Sequence, residues 1–377
     1  MINTKLLNKK YISLLVFLFI NFIFCIKYLS RVSSYSFVFS LFIIGFYFLL
    51  WFKKEPITSL LIKLKLSINL LLTLYFLVAI ALLYFVPKES LNVDRWSVIS
   101  SFWNNYFHNE YVYAAKSFDG NYPGPMPFYF ILALPFYFIG ELGLFSFLGI
   151  LVCVFLLKKR NNSLENKVIL FLLVATSLFY IWEICTRSNI FTNGSLILLS
   201  IVFFFKKYKK GWHSNLIFGA LIGLMLSTRN VFVIPYLITF VFALKTKKID
   251  LKNTCYLGII ALSLFILSFL PFVWNHFEDF KVMNPFIIQS SFLMPLQFSL
   301  LFIFIAFCLS FFCQEETDVY FYSGLSLFFT ILFYFGFTIF NSSFKSAFYD
   351  SKADISYFIL CMPFFIYSLF LNEKGTI

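Results

Sequence analysis

Charged residues are scarce in this chain, and acidic residues are scarcer than basic ones. Only 12% of the 377 residues are charged, with 17 Asp and Glu against 30 Lys and Arg, whereas 61% are hydrophobic. This composition leaves too little polar surface to cover a water-soluble globule, and it predicts an integral membrane protein. The sequence also lacks the roughly ten-residue alternating pattern of outer-membrane strands. Because helices satisfy their own backbone groups in lipid, we predict an all-α, polytopic transmembrane fold in one membrane domain over 1–377.

Cysteine patterns that serve metal or redox chemistry are missing as well. The seven cysteines lie in or at the edge of apolar runs, without the spacing of metal ligands or redox pairs. We interpret them as structural, buried thiols.

The basic residues are distributed unevenly between the two sides of the membrane. Counting the polar segments alternately places twenty of the 30 Lys and Arg on one side and ten on the other. This bias predicts a plasma (inner) membrane protein with a cytoplasmic N-terminus, and it argues against a nucleic-acid partner. The first apolar run lacks a small-x-small cleavage site, so we interpret it as a retained span. The twenty residues are Lys5, Lys9, Lys10, Lys53, Lys54, Lys63, Lys65, Lys158, Lys159, Arg160, Lys167, Lys206, Lys207, Lys209, Lys210, Lys245, Lys247, Lys248, Lys252 and Lys374.

About 11–13 hydrophobic segments are expected along the chain. The region 127–157 is broken by Gly140-Glu141, which predicts two short helices, one of them tilted, re-entrant or buried in protein. The region 215–244 is broken by Ser227-Thr228-Arg229-Asn230 and predicts a hairpin of two short helices with Arg229 at its outer tip. Short helices in a bundle usually enclose a cavity open to water. The other predicted spans are 11–26, 35–52, 66–86, 168–182, 194–205, 253–274, 292–313, 319–340 and 356–371.

The segment 87–126 is predicted to be an extracytoplasmic loop with surface helices. From Asp94 to Phe107, apolar residues recur at three- and four-residue spacing, which predicts a short amphipathic helix lying along the membrane surface. A second short helix is expected over 110–118. The loop also holds four of the 17 carboxylates, which invites a chemical explanation: Glu89, Asp94, Glu110 and Asp119.

Three of these carboxylates are candidate catalytic residues, each with a simpler structural interpretation. Asp94 stands where the amphipathic helix begins, so it is a general base or an N-cap, or both. Glu110 is a catalytic candidate or a surface carboxylate. Asp119 is a catalytic candidate or a turn residue before Gly120.

Four cations on the same side are candidates for holding a phosphate leaving group. Arg95 and Lys116 come from the loop itself, Arg187 from the short segment 183–189, and Arg229 from the hairpin tip. An arginine near lipid is expensive unless it reaches the interface or faces a polar cavity. Snorkelling is the simpler interpretation for Arg187, whereas short helices flank Arg229.

The order of these motifs resembles the type C glycosyltransferases, a polytopic family that uses polyprenyl-phosphate sugars. The resemblance covers roughly residues 66–290 and implies a mannosyltransferase-like enzyme of the inverting class. It implies a polyprenyl-phosphate sugar and the lipid bilayer as partners, with a glycan, lipid or protein as acceptor. The matching motifs are Asp94-Arg95-Trp96, Gly120-Asn121-Tyr122-Pro123-Gly124-Pro125, Pro135, Gly140-Glu141, Gly219-Ala220-Leu221-Ile222-Gly223-Leu224, Ser227-Thr228-Arg229, Pro235, Pro271-Phe272 and Asn284-Pro285.

The cofactor and two other functions stay open at this point. Members of the family commonly carry paired acidic residues at the start of the loop, whereas here Asp94 is followed by Arg95. A divalent metal is compatible with the pattern, and nothing in the sequence requires one. A lipid-linked oligosaccharide flippase or other transporter, and a polysaccharide polymerase or ligase, are the alternatives. Carboxylates and arginines that meet in one outer pocket favour an enzyme, and a ladder through the bilayer favours transport.

Overall fold

The structure is a computed structural model that describes residues 4–91, 93–159, 163–292 and 295–371. Over these ranges the secondary structure is helical, and no strand occurs. The predicted all-α fold is therefore confirmed. In chain order the α-helices are α1 (Thr4–Leu29), α2 (Ser36–Phe52), α3 (Lys54–Lys63), α4 (Ile68–Phe85), α5 (Arg95–Phe107), α6 (Pro127–Ile139), α7 (Gly143–Lys159), α8 (Leu164–Ala175), α9 (Leu178–Cys185), α10 (Ile190–Lys207), α11 (Trp212–Leu226), α12 (Val233–Lys245), α13 (Leu251–Leu267), α14 (Leu270–Val273), α15 (Phe277–Val282), α16 (Pro285–Phe292), α17 (Leu296–Ser310), α18 (Glu316–Asn341) and α19 (Met362–Leu369).

Among the described residues, five helical segments are long and apolar enough to cross a membrane, and the number rises to as many as eight if each bent pair of helices counts as one span. This is the pattern of a multi-pass membrane protein. Several predicted spans are shorter or bent, because a helix that packs inside protein does not need the full bilayer length. The five are Asn8–Leu29, Ile68–Phe85, Ile190–Lys207, Leu251–Val273 and Glu316–Asn341.

The predicted break at Gly140 is present. Helices α6 and α7 meet there at 120°, and Gly140 ends α6 with φ +85°, a left-handed conformation that glycine adopts without strain. The predicted span at 168–182 is also bent, by 58° between α8 and α9.

The predicted hairpin at 215–244 consists of α11 and α12, with a one-turn 3-10 helix at Asn230–Phe232 between them. Two glycines of α11, Gly219 and Gly223, face α13. A Cβ on Gly223 would lie 2.3 Å from the carbonyl oxygen of Ala261. The glycine spacing therefore allows the two helix backbones to approach closely, as small residues do in membrane bundles.

Helix α5 forms as predicted, and the middle of its apolar stripe packs on protein, whereas Phe107 near its end is exposed. Ile99 and Trp103 are buried, and the Trp103 indole donates a hydrogen bond to the Phe130 carbonyl at 3.1 Å. The ring of Phe102 stacks on that of Phe130 with centroids 3.7 Å apart. The second helix of the loop is reduced to one 3-10 turn, Val112–Ala114.

Candidate functional site

A cavity of about 440 Å³ gathers residues that are distant in the sequence. Its wall is built from the end of α1, the segment that starts α5, residues 119–125, the break between α11 and α12, and the segment that leads into the 3-10 helix Ile355–Cys361. The volume lies in the range of about 300–1,000 Å³ that small-molecule sites occupy.

Backbone hydrogen bonds place the Tyr-Pro-rich end of the loop against the hairpin break. The Met126 amide donates to the Thr228 carbonyl at 3.1 Å, and the Phe128 amide donates to the Ser227 carbonyl at 2.8 Å. Arg229 follows directly in sequence. Two motifs that were predicted separately therefore form one wall of the cavity.

Asp94 lines this cavity and occupies the N-cap position of α5, but its side chain makes no capping hydrogen bond. Instead, its Oδ2 accepts hydrogen bonds from the Ser117 hydroxyl at 2.7 Å and the Asn121 side-chain amide at 2.8 Å. Among the described residues, Oδ1 has no donor. The interpretation of Asp94 as an N-cap is thus wrong for the side chain, which is fastened by one oxygen and leaves the other available.

The other two carboxylate candidates separate in space. Asp119 lines the cavity and is exposed, and its pKa is raised by partial burial and by the negative charge of Asp94. Glu110 is exposed and is not part of the cavity wall. The structure therefore brings Asp94 and Asp119 together and leaves Glu110 outside.

Arg95 lines the cavity, but its charge is already compensated. Its guanidinium forms an ion pair with Asp354, donates to the Ser356 hydroxyl at 3.2 Å, and lies 5.5 Å from the centre of the Tyr357 ring. The pKa of Asp354 lies below its usual range, because the opposing charge of Arg95 and the Ser356 hydrogen bonds outweigh the effect of burial. Arg95 fixes the start of α5 to the C-terminal part of the chain.

Arg187 is not part of the cavity. Only 3% exposed, it is buried in protein and does not snorkel. Its guanidinium donates to the carbonyls of Val86 at 2.7 Å, Leu83 at 2.8 Å and Cys185 at 2.6 Å, and it pairs with Glu141 at 3.3 Å. These contacts join the end of α4 to the break before α7. Arg187 therefore has a structural role.

Lys116, the fourth predicted cation, is exposed outside the cavity. Its ammonium lies 5.7 Å from the centre of the Tyr122 ring, and the side chain takes no part in the wall.

Of the four predicted cations, Arg229 is the one that lines the cavity without an ion pair among the described residues. It is 8% exposed, and its guanidinium lies over the ring of Tyr129 at 5.2 Å. Its Nε and Nη2 atoms are buried without a hydrogen-bond partner in the described structure. The buried carboxylate of Glu183 accepts the Phe191 amide at 2.8 and 2.9 Å and makes no ion pair with Arg229. Because an unpaired buried charge is costly, this guanidinium is suited to an anionic ligand.

Several cavity residues were missed by the sequence interpretation. Lys27 ends an apolar run, where a lysine ordinarily signals snorkelling, and the segment that contains Asp354 carries no motif. The assignment of Lys27, Arg31 and Lys352 to the ten basic residues of the outer side was the one available signal. The missed polar residues of the wall include Lys27, Arg31, Gln289, Lys352 and Asp354.

The donor set does not fit a bound metal. Over the described ranges, no group of three or more His, Cys, Asp or Glu side chains could hold an ion. Asp94 and Asp119 are two carboxylates, and one oxygen of Asp94 is already engaged by hydrogen-bond donors.

No family model, curated protein or solved structure matches this chain.

Proposed function

We propose that the chain is an inverting glycosyltransferase of the cell membrane, which moves a sugar from a polyprenyl-phosphate donor to an acceptor on the extracytoplasmic face. The observation that carries this proposal is that Asp94 and Arg229 form the wall of one cavity. Within the described ranges, one carboxylate oxygen of Asp94 and two guanidinium nitrogens of Arg229 have no hydrogen-bond partner. A base and a phosphate-binding cation are the two groups that the reaction needs.

The proposed reaction uses both groups in one displacement. Asp94 Oδ1 takes the proton of the acceptor hydroxyl while the acceptor oxygen forms a bond to the anomeric carbon. The bond between that carbon and the phosphate oxygen breaks, and the electron pair leaves with the polyprenyl phosphate. Arg229 stabilises the charge that develops on this leaving group. Ser117 and Asn121 hold the carboxylate in orientation through Oδ2.

The arrangement of charges along α1 supports the proposed side of the membrane. Lys27 lines the cavity near one end of α1, and Lys9 pairs with Asp318 near the other end. The two lysines are about 27 Å apart along the helix, roughly the thickness of a hydrocarbon core. The basic residues of the cavity wall all belong to the smaller, outer group in the charge count: Lys27, Arg31, Arg95, Arg229 and Lys352.

The base is tested by Asp94→Asn in purified protein reconstituted into vesicles. A panel of polyprenyl-phosphate hexoses labelled in the sugar is supplied with a cell-envelope extract as acceptor. Label transfer and release of free polyprenyl phosphate are measured. We expect transfer to fall by at least about 100-fold, since a positioned base contributes about 10²–10⁴ in rate.

Glu110→Gln is the matched control and should retain the wild-type rate, because Glu110 lies outside the cavity. Unchanged elution and melting temperature show that each variant is folded. If the single variant Asp94→Asn retains transfer, the base is assigned to Asp119. Transfer retained by the Asp94→Asn, Asp119→Asn double variant would contradict the mechanism.

The transport and polymerase alternatives make different predictions for the same vesicles. A flippase moves a fluorescent lipid-linked sugar across the bilayer without consuming it, and a polymerase yields products of graded length. We favour single-sugar transfer because the candidate groups meet in one cavity at one end of α1 rather than in a ladder. Translocation without release of polyprenyl phosphate would favour the flippase.

A further inference from the structure

A second group of cations lines the same cavity, apart from the hairpin break. Lys27 and Arg31 come from the end of α1 and the turn after it, and Lys352 precedes the 3-10 helix Ile355–Cys361. Arg229 belongs to the break between α11 and α12. The two groups are thus presented by separate elements of the fold.

Lys27 is the member of this group whose surroundings best suit an anionic ligand. Its side chain is buried, 2% exposed, yet it forms part of the cavity wall. In the described part of the chain its ammonium makes no hydrogen bond and no ion pair, and it lies 5.7 Å from the centre of the Phe348 ring. An ammonium in a membrane bundle ordinarily pairs with a carboxylate or a carbonyl, or reaches the interface.

The nearby negative charge does not balance this group. Asp354 is the carboxylate whose charge acts on Lys27, but it forms the ion pair with Arg95 and accepts the Ser356 amide at 2.8 Å. Arg31 lies over the ring of Tyr28 at 5.1 Å rather than beside a carboxylate. Asp94 and Asp119 also line the cavity, but in the described structure neither forms an ion pair with Lys27, Arg31 or Lys352. Three cations therefore face the cavity without a carboxylate bound to them.

We infer that Lys27, Arg31 and Lys352 form a second anion subsite in the cavity, which takes a phosphate group separate from the one at Arg229. The inference rests on the proposed function only in assigning the donor's first phosphate to Arg229. Two sources share this chemistry: the second phosphate of a diphosphate-linked lipid donor, and a phosphate carried by the acceptor. The cavity volume of about 440 Å³ accommodates more than one such group.

Equilibrium binding to the purified full chain tests the subsite without requiring catalysis. The probes are a short-chain polyprenyl monophosphate, the matching diphosphate, and a soluble sugar 1-phosphate added to protein saturated with the monophosphate. The variants are Lys27→Met, which keeps the side-chain length without the charge, and Lys352→Gln, which changes an exposed side chain. Lys116→Gln is the control for loss of a lysine outside the cavity.

A diphosphate donor is the source if each variant weakens diphosphate binding by about tenfold and leaves monophosphate binding unchanged. An acceptor phosphate is the source if the sugar phosphate binds to the saturated wild type and each variant weakens it by about tenfold. Equal binding of all three probes by wild type, Lys27→Met and Lys352→Gln overturns the subsite.

Arg229→Gln separates this inference from the proposed function. If Arg229→Gln binds the monophosphate as tightly as wild type, the assignment of the donor's first phosphate to Arg229 is contradicted. The subsite is still supported if only Lys27→Met and Lys352→Gln weaken binding of the diphosphate or of the sugar phosphate. Lys27→Met should not lower the melting temperature, since it removes a buried charge without a protein partner. A ligand effect can therefore be told from unfolding.

Discussion

At the scale of residues, the arginines differ in what surrounds them rather than in where they stand in the sequence. Arg187 and Arg229 both interrupt apolar runs on the side assigned as outer, and the same role was predicted for them. Three carbonyls and Glu141 surround Arg187, whereas two nitrogens of Arg229 have no partner in the described structure. One guanidinium is a structural tie, and the other is available to a ligand.

Arg229→Gln should weaken binding of polyprenyl monophosphate by at least about tenfold, because a charge-assisted hydrogen bond contributes roughly 1.5–3 kcal/mol. Its melting temperature should not fall, since the substitution removes an unpaired buried charge. The rise in melting temperature on addition of the lipid measures the binding. The melting temperature of the protein without ligand measures the stability. A variant that binds the lipid as tightly as wild type would show that Arg229 does not hold the phosphate.

Arg187→Gln should show the opposite pattern. Losing the guanidinium leaves the carbonyls of Leu83 and Val86 without their donor and isolates Glu141, which is partly exposed. We expect the free energy of unfolding to fall by about 2–4 kcal/mol. This is less than for a fully buried pair, because solvent screens the partly exposed Glu141. Denaturation of the detergent-solubilised protein measures it. Wild-type stability combined with lost lipid binding would instead place Arg187 in the binding site.

At the scale of elements, close helix packing and backbone pairing align the walls of the cavity. Helix α11 lies against α13 through Gly219 and Gly223, and the break after it pairs with the start of α6. The position of Arg229 therefore depends on how closely α11 approaches α13. The glycine-rich span is explained by packing without any direct part in chemistry.

Gly223→Ala should destabilise the fold by roughly 1–3 kcal/mol, as overpacking does in a filled core. The added methyl would meet the backbone of Ala261 at 2.3 Å, and backbone cannot move aside cheaply. Gly258→Ala, on α13, is the matched control, because its Cβ meets nothing within 4 Å. Thermal unfolding of both variants measures the difference, and equal effects would contradict the close approach of the two backbones.

At the scale of the whole molecule, the proposed orientation places the cavity outside the cytoplasm. A cysteine introduced as Glu110→Cys should react with an impermeant maleimide added to intact cells. A cysteine introduced as Lys209→Cys should react only after the membrane is permeabilised. Both are built in a variant without the seven native cysteines, and the reverse pattern would place the cavity on the cytoplasmic side.

The helical class and the two helix breaks were within reach of the sequence, because they depend on local patterns. Apolar runs and Gly140-Glu141 or Ser227–Asn230 act over a few residues, and the structure contains helices and breaks where they were expected. The environment of α5 could not be predicted from the sequence. An amphipathic stripe is equally compatible with lipid headgroups and with protein, and only the packing against Phe130 distinguishes them.

The sequence by itself determined a helical membrane protein with a carboxylate-containing loop and a smaller group of cations on the same side. Only the tertiary structure decided which charges remain available. Arg95 meets a partner 259 positions away, and Arg187 meets one 104 positions away. In the part of the chain that the structure describes, Arg229 and Lys27 face the cavity without an ion pair. The reason is physical: a charge is compensated by whatever lies within a few ångströms of it, and chain folding over long separations sets those neighbours.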